Sequence, residues 1–289
     1  EKIKISPLEP AVDLVPPVLG KDPRLVPLPT KKEVLDEYLD IIWATPGVTT
    51  SNIAYGDGYR KRIFASSEGA YIQQEKIDVS VYVGATARDG GEVQQSSISL
   101  GSNGDFAFVQ NLHRQVEELA RRAVDLLKAP QVKGGEYPVV LDPVLGGVFI
   151  HEAFGHLSEA DHIYQDHRLR DLMALGRRFG EGHLNVVDGA AVGGLRGSYK
   201  YDDEGMPAQR TYLIREGELV GRLHSRETAA KMGEEPSGNA RAINYRFPPI
   251  VRMTNTFIEP GESTFEDLIA DIDEGVYARN WYGGMTSME

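Results

Sequence analysis

The chain has 289 residues, enough for one large domain or two ordinary ones, and 41% of them are hydrophobic, enough for a real core. With 31 basic and 43 acidic residues the formal net charge is −12, which argues against nucleic acid or an anionic membrane surface as a direct partner. No apolar run approaches the roughly 20 residues of a membrane helix, and the lack of cysteine excludes a disulfide scaffold, a thiolate metal ligand or a cysteine nucleophile within this chain.

The chain opens on Glu1 rather than Met and carries no signal peptide, so it reads as trimmed at its start. Residues 1–29 hold Pro7, Pro10, Pro16, Pro17, Pro23, Pro27 and Pro29 and are expected to form an extended arm. Thr30 and Glu33 fit a capping box that opens a helix. Val34, Leu35, Tyr38, Leu39 and Ile42 follow at helical spacing, and Pro46-Gly47 stops it. From Val48 to Gly101 the pattern is that of antiparallel strands: Ile77, Val79, Val81 and Val83 alternate with polar neighbours, and Asp89-Gly90-Gly91 marks a hairpin. One long helix is expected from about Asp105 to Lys128, with Val109, Leu112, Val116, Leu119, Ala123 and Leu126 as its apolar stripe.

A glycine-bearing linker at 131–136 suggests a boundary, dividing the chain into the arm, an α+β unit over 30–133 and a C-terminal domain over 134–289. The second unit opens with a strand at Pro138 to Asp142. Further on, Leu213 to Val220 reads as a hairpin turning at Glu216-Gly217. A late helix is expected from Ser263, capped by Glu266, with Phe265, Leu268, Ile269 and Ile272 facing inward and Gly275 ending it. The fold class is therefore α+β: an N-terminal antiparallel sheet with long helices, then a β-rich domain opened by the helix that carries the motif described next.

That motif is His151-Glu152-Ala153-Phe154-Gly155-His156, after the apolar run Gly147 to Ile150. Neutral imidazoles are common zinc ligands, and a glutamate beside a metal-bound water can act as general base, as in His-Glu-x-x-His peptidases. Here the histidines are five residues apart, which on a regular helix leaves them about 140° apart around the axis. Both can reach one metal only if the turn is distorted, by a π-bulge or by ending near Gly155, where glycine tolerates a loosened turn. Taken alone, the motif leaves a metal site and a plain core stripe of Ile150, Phe154 and Leu157 about equally plausible.

The surrounding sequence resembles the TldD side of the TldD/PmbA family, once described as modulators of DNA gyrase. The likeness runs through Gly146 to Asp161, with Glu159 and Asp161 after the motif, then Tyr201 to Ala208, Gly238 to Arg241, Arg252 to Thr256 and Gly275-Val276-Tyr277. It is strongest from about Tyr137 onward. The resemblance implies a cytoplasmic zinc peptidase acting on unfolded or flexible peptides. It would work as a homodimer or as a heterodimer with a PmbA/TldE-type subunit, whose members lack the His-Glu-x-x-x-His motif. By carry-over His151 and His156 are zinc ligands and Glu152 is the general base. The family's third ligand is a cysteine in a glycine-rich segment near the C-terminus. The present sequence reaches Glu289 without one, so it is expected to lack that segment and to hold zinc weakly by itself.

Other candidates have plainer readings. His162, His167, His183 and His224 read as surface or supporting histidines before they read as replacement ligands. Glu159 and Asp161 suit the role of carboxylates that accept a ligating histidine's other N–H. Asp202, Asp203 and Glu204 read as a solvated turn, Gly193 to Gly197 is no phosphate loop, and Ser198 and Ser225 lack a triad context. Arg241, Asn239 and Asn255 are candidates for lining a peptide groove, on the resemblance alone. Two alternatives stay open: a non-catalytic, peptide-binding or scaffold subunit of such a complex, and a peptidase whose third ligand is a carboxylate or histidine of this chain.

Overall fold

The computed structural model describes residues 4–281; the first three residues of the arm and the last eight of the C-terminal region lie outside the described residues. The arm is extended, and its strand β1 (Val12–Val15) pairs in parallel with a strand of the main sheet, which sequence pattern did not anticipate. After a 3-10 turn at Pro23–Leu25, helix α1 runs over Leu28–Trp43. It starts two residues earlier than the Thr30 box suggested and has no side-chain cap. Pro29 in its first turn lacks the N–H that would need one and presets the helical φ.

Strands β2 (Val48–Ala65), β3 (Tyr71–Asp89) and β4 (Glu92–Asn103) form the expected antiparallel meander, with Asp89 paired to Glu92 across the two glycines. The expected long helix from Asp105 is broken in two. A 3-10 turn over Phe106–Val109 is followed by Asn111 at φ 61° and then by α2 (His113–Leu126). Asparagine tolerates the left-handed conformation, and a regular helix cannot pass through it. The buried Tyr38 hydroxyl locks the break, donating to the Val109 carbonyl and accepting from the Leu112 amide. Ile77, Val79, Val81 and Val83 are all buried, and the last three join Ala85 and Ala87 in packing under Tyr38, Ile42, Phe106, Val116 and Leu119 as one core. Alternation on β3 thus supplies one face of that core and helical spacing on α1 and α2 the other.

The C-terminal region opens with β5 (Val139–Leu141) and α3 (Pro143–Ile150), whose N-cap Asp142 accepts from the Leu145 amide. Short helices α4 (Ala160–Gln165) and α5 (His167–Leu172) follow. Strand β6 (Val186–Gly189) then pairs with β7 (Arg210–Arg215), and β7 with β8 (Glu218–Leu219). The β7–β8 hairpin turns at Glu216 and Gly217, both at positive φ, as the sequence suggests. Helix α6 (Arg226–Met232) is capped by Ser225. The two-residue strands β9 (Ala240–Arg241) and β10 (Ile250–Val251) pair antiparallel, and β11 (Thr256–Ile258) completes the sheet of order β11-β6-β7-β8.

Helix α7 (Phe265–Ile269) is shorter and shifted: its capping box is Thr264 with Asp267, one residue after the expected pair, and it ends well before Gly275. Its Phe265, Leu268 and Ile269 are exposed, not buried; the Tyr277 ring lies 4.7 Å from that of Phe265 without covering the face. Strand β12 (Val276–Ala278) returns to pair in parallel with β5. Ile150, Phe154, Ile163, Leu213, Leu223, Val251 and Met253 are among the residues of a second core, directly beneath the His151–His156 segment. Among the described residues no helix is long and apolar enough to cross a membrane.

Candidate metal centre

Helix α3 does not continue regularly through the motif. Residues His151–Gly155 form one π turn, closed by the His156 amide donating to the His151 carbonyl, and a 3-10 turn over His156–Ser158 follows. This is the distortion that five-residue spacing demands, since an i→i+5 bond brings residues five apart onto one face. The Ser158 hydroxyl donates to the Phe154 carbonyl at 3.0 Å and so satisfies an acceptor of the loosened turn.

The reason for Gly155 differs from the one its sequence suggests. Its backbone is ordinary right-handed helix, φ −59° and ψ −48°. What excludes a side chain is space: a Cβ there would lie 2.1 Å from the sulfur of Met253.

The π turn places the His151 and His156 rings 4.9 Å apart at 82°. Ligand atoms of His151, Glu152 and His156 all lie within 4.8 Å of one another, the only such group of three among the described residues. Donors around a tetrahedral zinc are separated by about 3.4 Å, so modest side-chain rotation closes the set. His156 turns Nδ1 toward the Glu159 carboxylate at 3.3 Å, which leaves Nε2 for a metal. Burial, reinforced by the neighbouring His156, holds the His151 imidazole below the usual histidine range, against the pull of Glu152 and Glu159. Neutral imidazole is the form that binds metal. The donor set therefore fits zinc.

Glu159 is 2% exposed. Its carboxylate accepts from the Met253 amide and lies 3.6 Å from Arg252 Nε and 3.7 Å from His162. Asp161 does not face either motif histidine: its carboxylate accepts from the Val251 amide at 2.6 Å. Of the two expected histidine-orienting carboxylates, the structure thus places one beside the ring and uses the other to fasten the segment to β10.

Family models match over nearly the whole chain: the PmbA/TldA metallopeptidase central domain over residues 21–129 and the C-terminal domain of the same metallopeptidases over 134–289. The chain belongs to the PmbA/TldD metallopeptidase family. A metalloprotease of Synechocystis sp. is 49% identical over 287 residues, covering 99% of this chain and 62% of the relative. A zinc metalloprotease TldD homolog of Saccharolobus solfataricus is 34% identical, covering 84% of this chain and 54% of its own length. The chain thus spans about three fifths of the Synechocystis relative. Among solved structures, a Thermotoga maritima protein described as a modulator of DNA gyrase superposes with a TM-score of 0.79 at 21% identity, covering 96% of this chain and 62% of its own. TldE from Thermococcus kodakarensis gives 0.69 at 20% identity, with 96% and 64% covered. These two show a shared PmbA/TldD fold.

The remaining segments of family likeness prove to be scaffold. Asp202 is buried, not solvated. It accepts from the amides of Glu204, Met206 and Ala240, and burial pushes its carboxyl up to about 7 against those three donors. Asp203 accepts from the Ala242 amide and pairs with Arg62, while Glu204 accepts from the Arg226 amide. The turn expected in water is therefore a clamp that holds β9.

Asn239 and Asn255 are likewise engaged with the backbone and side chains of neighbouring segments. Asn239 donates to Asp188 and to the Arg252 carbonyl. Asn255 accepts from the Gly197 amide and donates to the Gly189 carbonyl and to Ser198 Oγ. Arg241 leans on the Met253 carbonyl at 3.4 Å. His224 is buried against Thr228 and Glu234, and Ser225 caps α6. Sequence reasoning missed Met253 and Arg252 as neighbours of the centre; their nearness to Glu159 spans about ninety residues of chain and leaves no local pattern.

Proposed function

We propose that His151 and His156 hold a zinc ion and that Glu152 is the general base for hydrolysis of peptide bonds in unfolded or flexible peptides. The observation that carries this is the π turn, which gathers two imidazoles and a carboxylate whose ligand atoms lie within 4.8 Å of one another. The metalloprotease names of the relatives support it. Zinc, when bound, supplies Lewis acidity for the scissile carbonyl and lowers the pKa of a water.

The chain's own residues do the rest. Glu152 takes the proton of the attacking water and delivers it to the leaving amine. Glu159 fixes the His156 ring through Nδ1, and the buried His151 stays deprotonated and ready to ligate. By family likeness the third ligand is a cysteine supplied from beyond residue 289, and the working form is a cytoplasmic two-subunit particle. That particle is either a homodimer or a pair with a PmbA/TldE-type chain, a reading supported by the TldE neighbour.

The test is Glu152→Gln in the full-length protein, with zinc content and peptide hydrolysis measured on the same sample. Zinc should be retained and turnover should fall by ~10²–10⁴-fold. Near-normal turnover by a zinc-replete variant would end the assignment of Glu152, and a zinc-free, inactive parent protein would favour a scaffold subunit.

A further inference from the structure

A second feature lies away from the metal turn, on the main sheet. One edge of β3 is paired with β2 from Tyr71 to Ala87. On the opposite edge β1 covers Tyr71 to Gln74 and β4 covers Asp78 to Asp89. Glu75, Lys76 and Ile77 therefore have no strand partner on that side. Beyond Val15 the arm continues as Pro16-Pro17, which lack N–H groups and cannot extend the β1 ladder.

A cavity of about 470 Å³ opens on this gap, walled by the arm on one side and by Tyr199 and Ala208 on the other. That is within the size range of small-ligand pockets, about 300–1,000 Å³. Asn103 also lines it. The Asn103 amide group is oriented by its nitrogen, which donates to the carbonyls of Leu195 at 2.7 Å and Ser198 at 3.3 Å. Its oxygen is buried and accepts from nothing. No surface of that oxygen is open to the cavity, so Asn103 serves there as wall, and recognition falls to the open edge of β3.

We propose that this cavity binds a short extended peptide segment, which fills the gap between β1 and β4 as a strand and pairs with the open edge of β3. Three residues at a strand rise of about 3.3 Å span the gap. Backbone groups left open on a strand edge ask for alternating N–H and C=O partners, which a peptide supplies. The apolar wall of Val15 to Val18 suits small aliphatic side chains. The two lysines of the lining are already engaged, Lys76 with the Arg196 carbonyl and Asp78, Lys200 with Asp13, so no cation is set aside for an anionic headgroup. None of residues 151–161 lines this cavity. The site thus stands independently of the hydrolytic reading; on a peptidase it would grip one stretch of a flexible chain while another is cut.

The experiment titrates capped acetyl-Ala-Val-Ala-amide into full-length protein carrying Glu152→Gln, which removes turnover, and follows binding by calorimetry and NMR. Saturable binding is expected. It should weaken about tenfold or more when the probe's amides are N-methylated, the loss of one good hydrogen bond. It should vanish in Ala191→Trp, whose indole fills the cavity from its rim, and persist in His151→Ala. Ala208→Leu repeats the filling from the opposite wall should Ala191→Trp fail to fold, and the methylated probe needs no change to the protein. Absence of saturable binding, indifference to the cavity-filling variants, or loss of binding in His151→Ala would each overturn the proposal.

Discussion

The two halves of the molecule are held together by different means. In the first, strands of 18, 19 and 12 residues pair along their length, and two helices cover one face. Nearly all the order there comes from backbone ladders and apolar alternation. In the second, no strand among the described residues exceeds six residues. Its segments are tied instead by buried and half-buried carboxylates and amides that take the place of strand partners: Asp188, Asp202, Glu159, Asp161, Asn239 and Asn255 bond to the backbone of segments distant in sequence. A ladder spreads its energy over many equivalent bonds. A side-chain scaffold concentrates it in a few residues, and the metal turn sits on the scaffold.

The contrast sharpens into unequal mutational costs. Asp188, 1% exposed, accepts from the Asn239 amide group, the Thr254 amide and the hydroxyls of Thr254 and Thr256. Asp188→Ala leaves several buried donors without an acceptor and should cost about 3–5 kcal/mol by denaturant titration. A cost under 1 kcal/mol would show that the scaffold is redundant.

An intermediate effect follows from Asp202. Its folded pKa is raised to about 7 by burial, so the protonated form is the one folding favours. The stability it contributes is full below the ordinary carboxylate pKa near 4 and is lost as pH rises through about 7. Thermal unfolding followed from pH 4 to pH 9 should show this as a fall on the order of 4 kcal/mol. Asp202→Asn should remove the slope at a constant cost, because its side-chain nitrogen would face the Ala240 amide. An unchanged slope would assign the pH dependence to other groups.

The smallest effect belongs to the ladder half. Ile42, fully buried under the sheet, loses one methylene in Ile42→Val, with an expected cost of about 1 kcal/mol. A loss comparable to that of Asp188→Ala would erase the distinction between the halves.

The same distinction explains what the sequence made legible. Alternation at Ile77 to Val83, the two-glycine hairpin and the turn at Glu216-Gly217 are local signals that exert their effect locally, and the structure follows them. The five-residue histidine spacing could be turned into geometry because it lies within one turn of chain. Elsewhere the deciding contact is remote. The inward face assigned to α7 is exposed because periodicity says which residues share a face, not whether anything covers it. Asp202 looked like part of a wet turn because its third donor, Ala240, lies 38 residues away. Asp161 lies close in sequence to the motif histidines, but the amide it accepts from belongs to Val251, 90 residues further along the chain.

Clearance at Gly155 ties the history of one position to another. Ala153 is exposed, whereas a side chain at position 155 requires the Met253 side chain to move or to shorten. Alanine at 155 is accommodated most readily when the side chain at 253 is shortened with it. Without that change the added methyl presses on the Met253 sulfur beneath the two histidines. Positions 155 and 253 are thus coupled through space, in a way that neither residue shows alone.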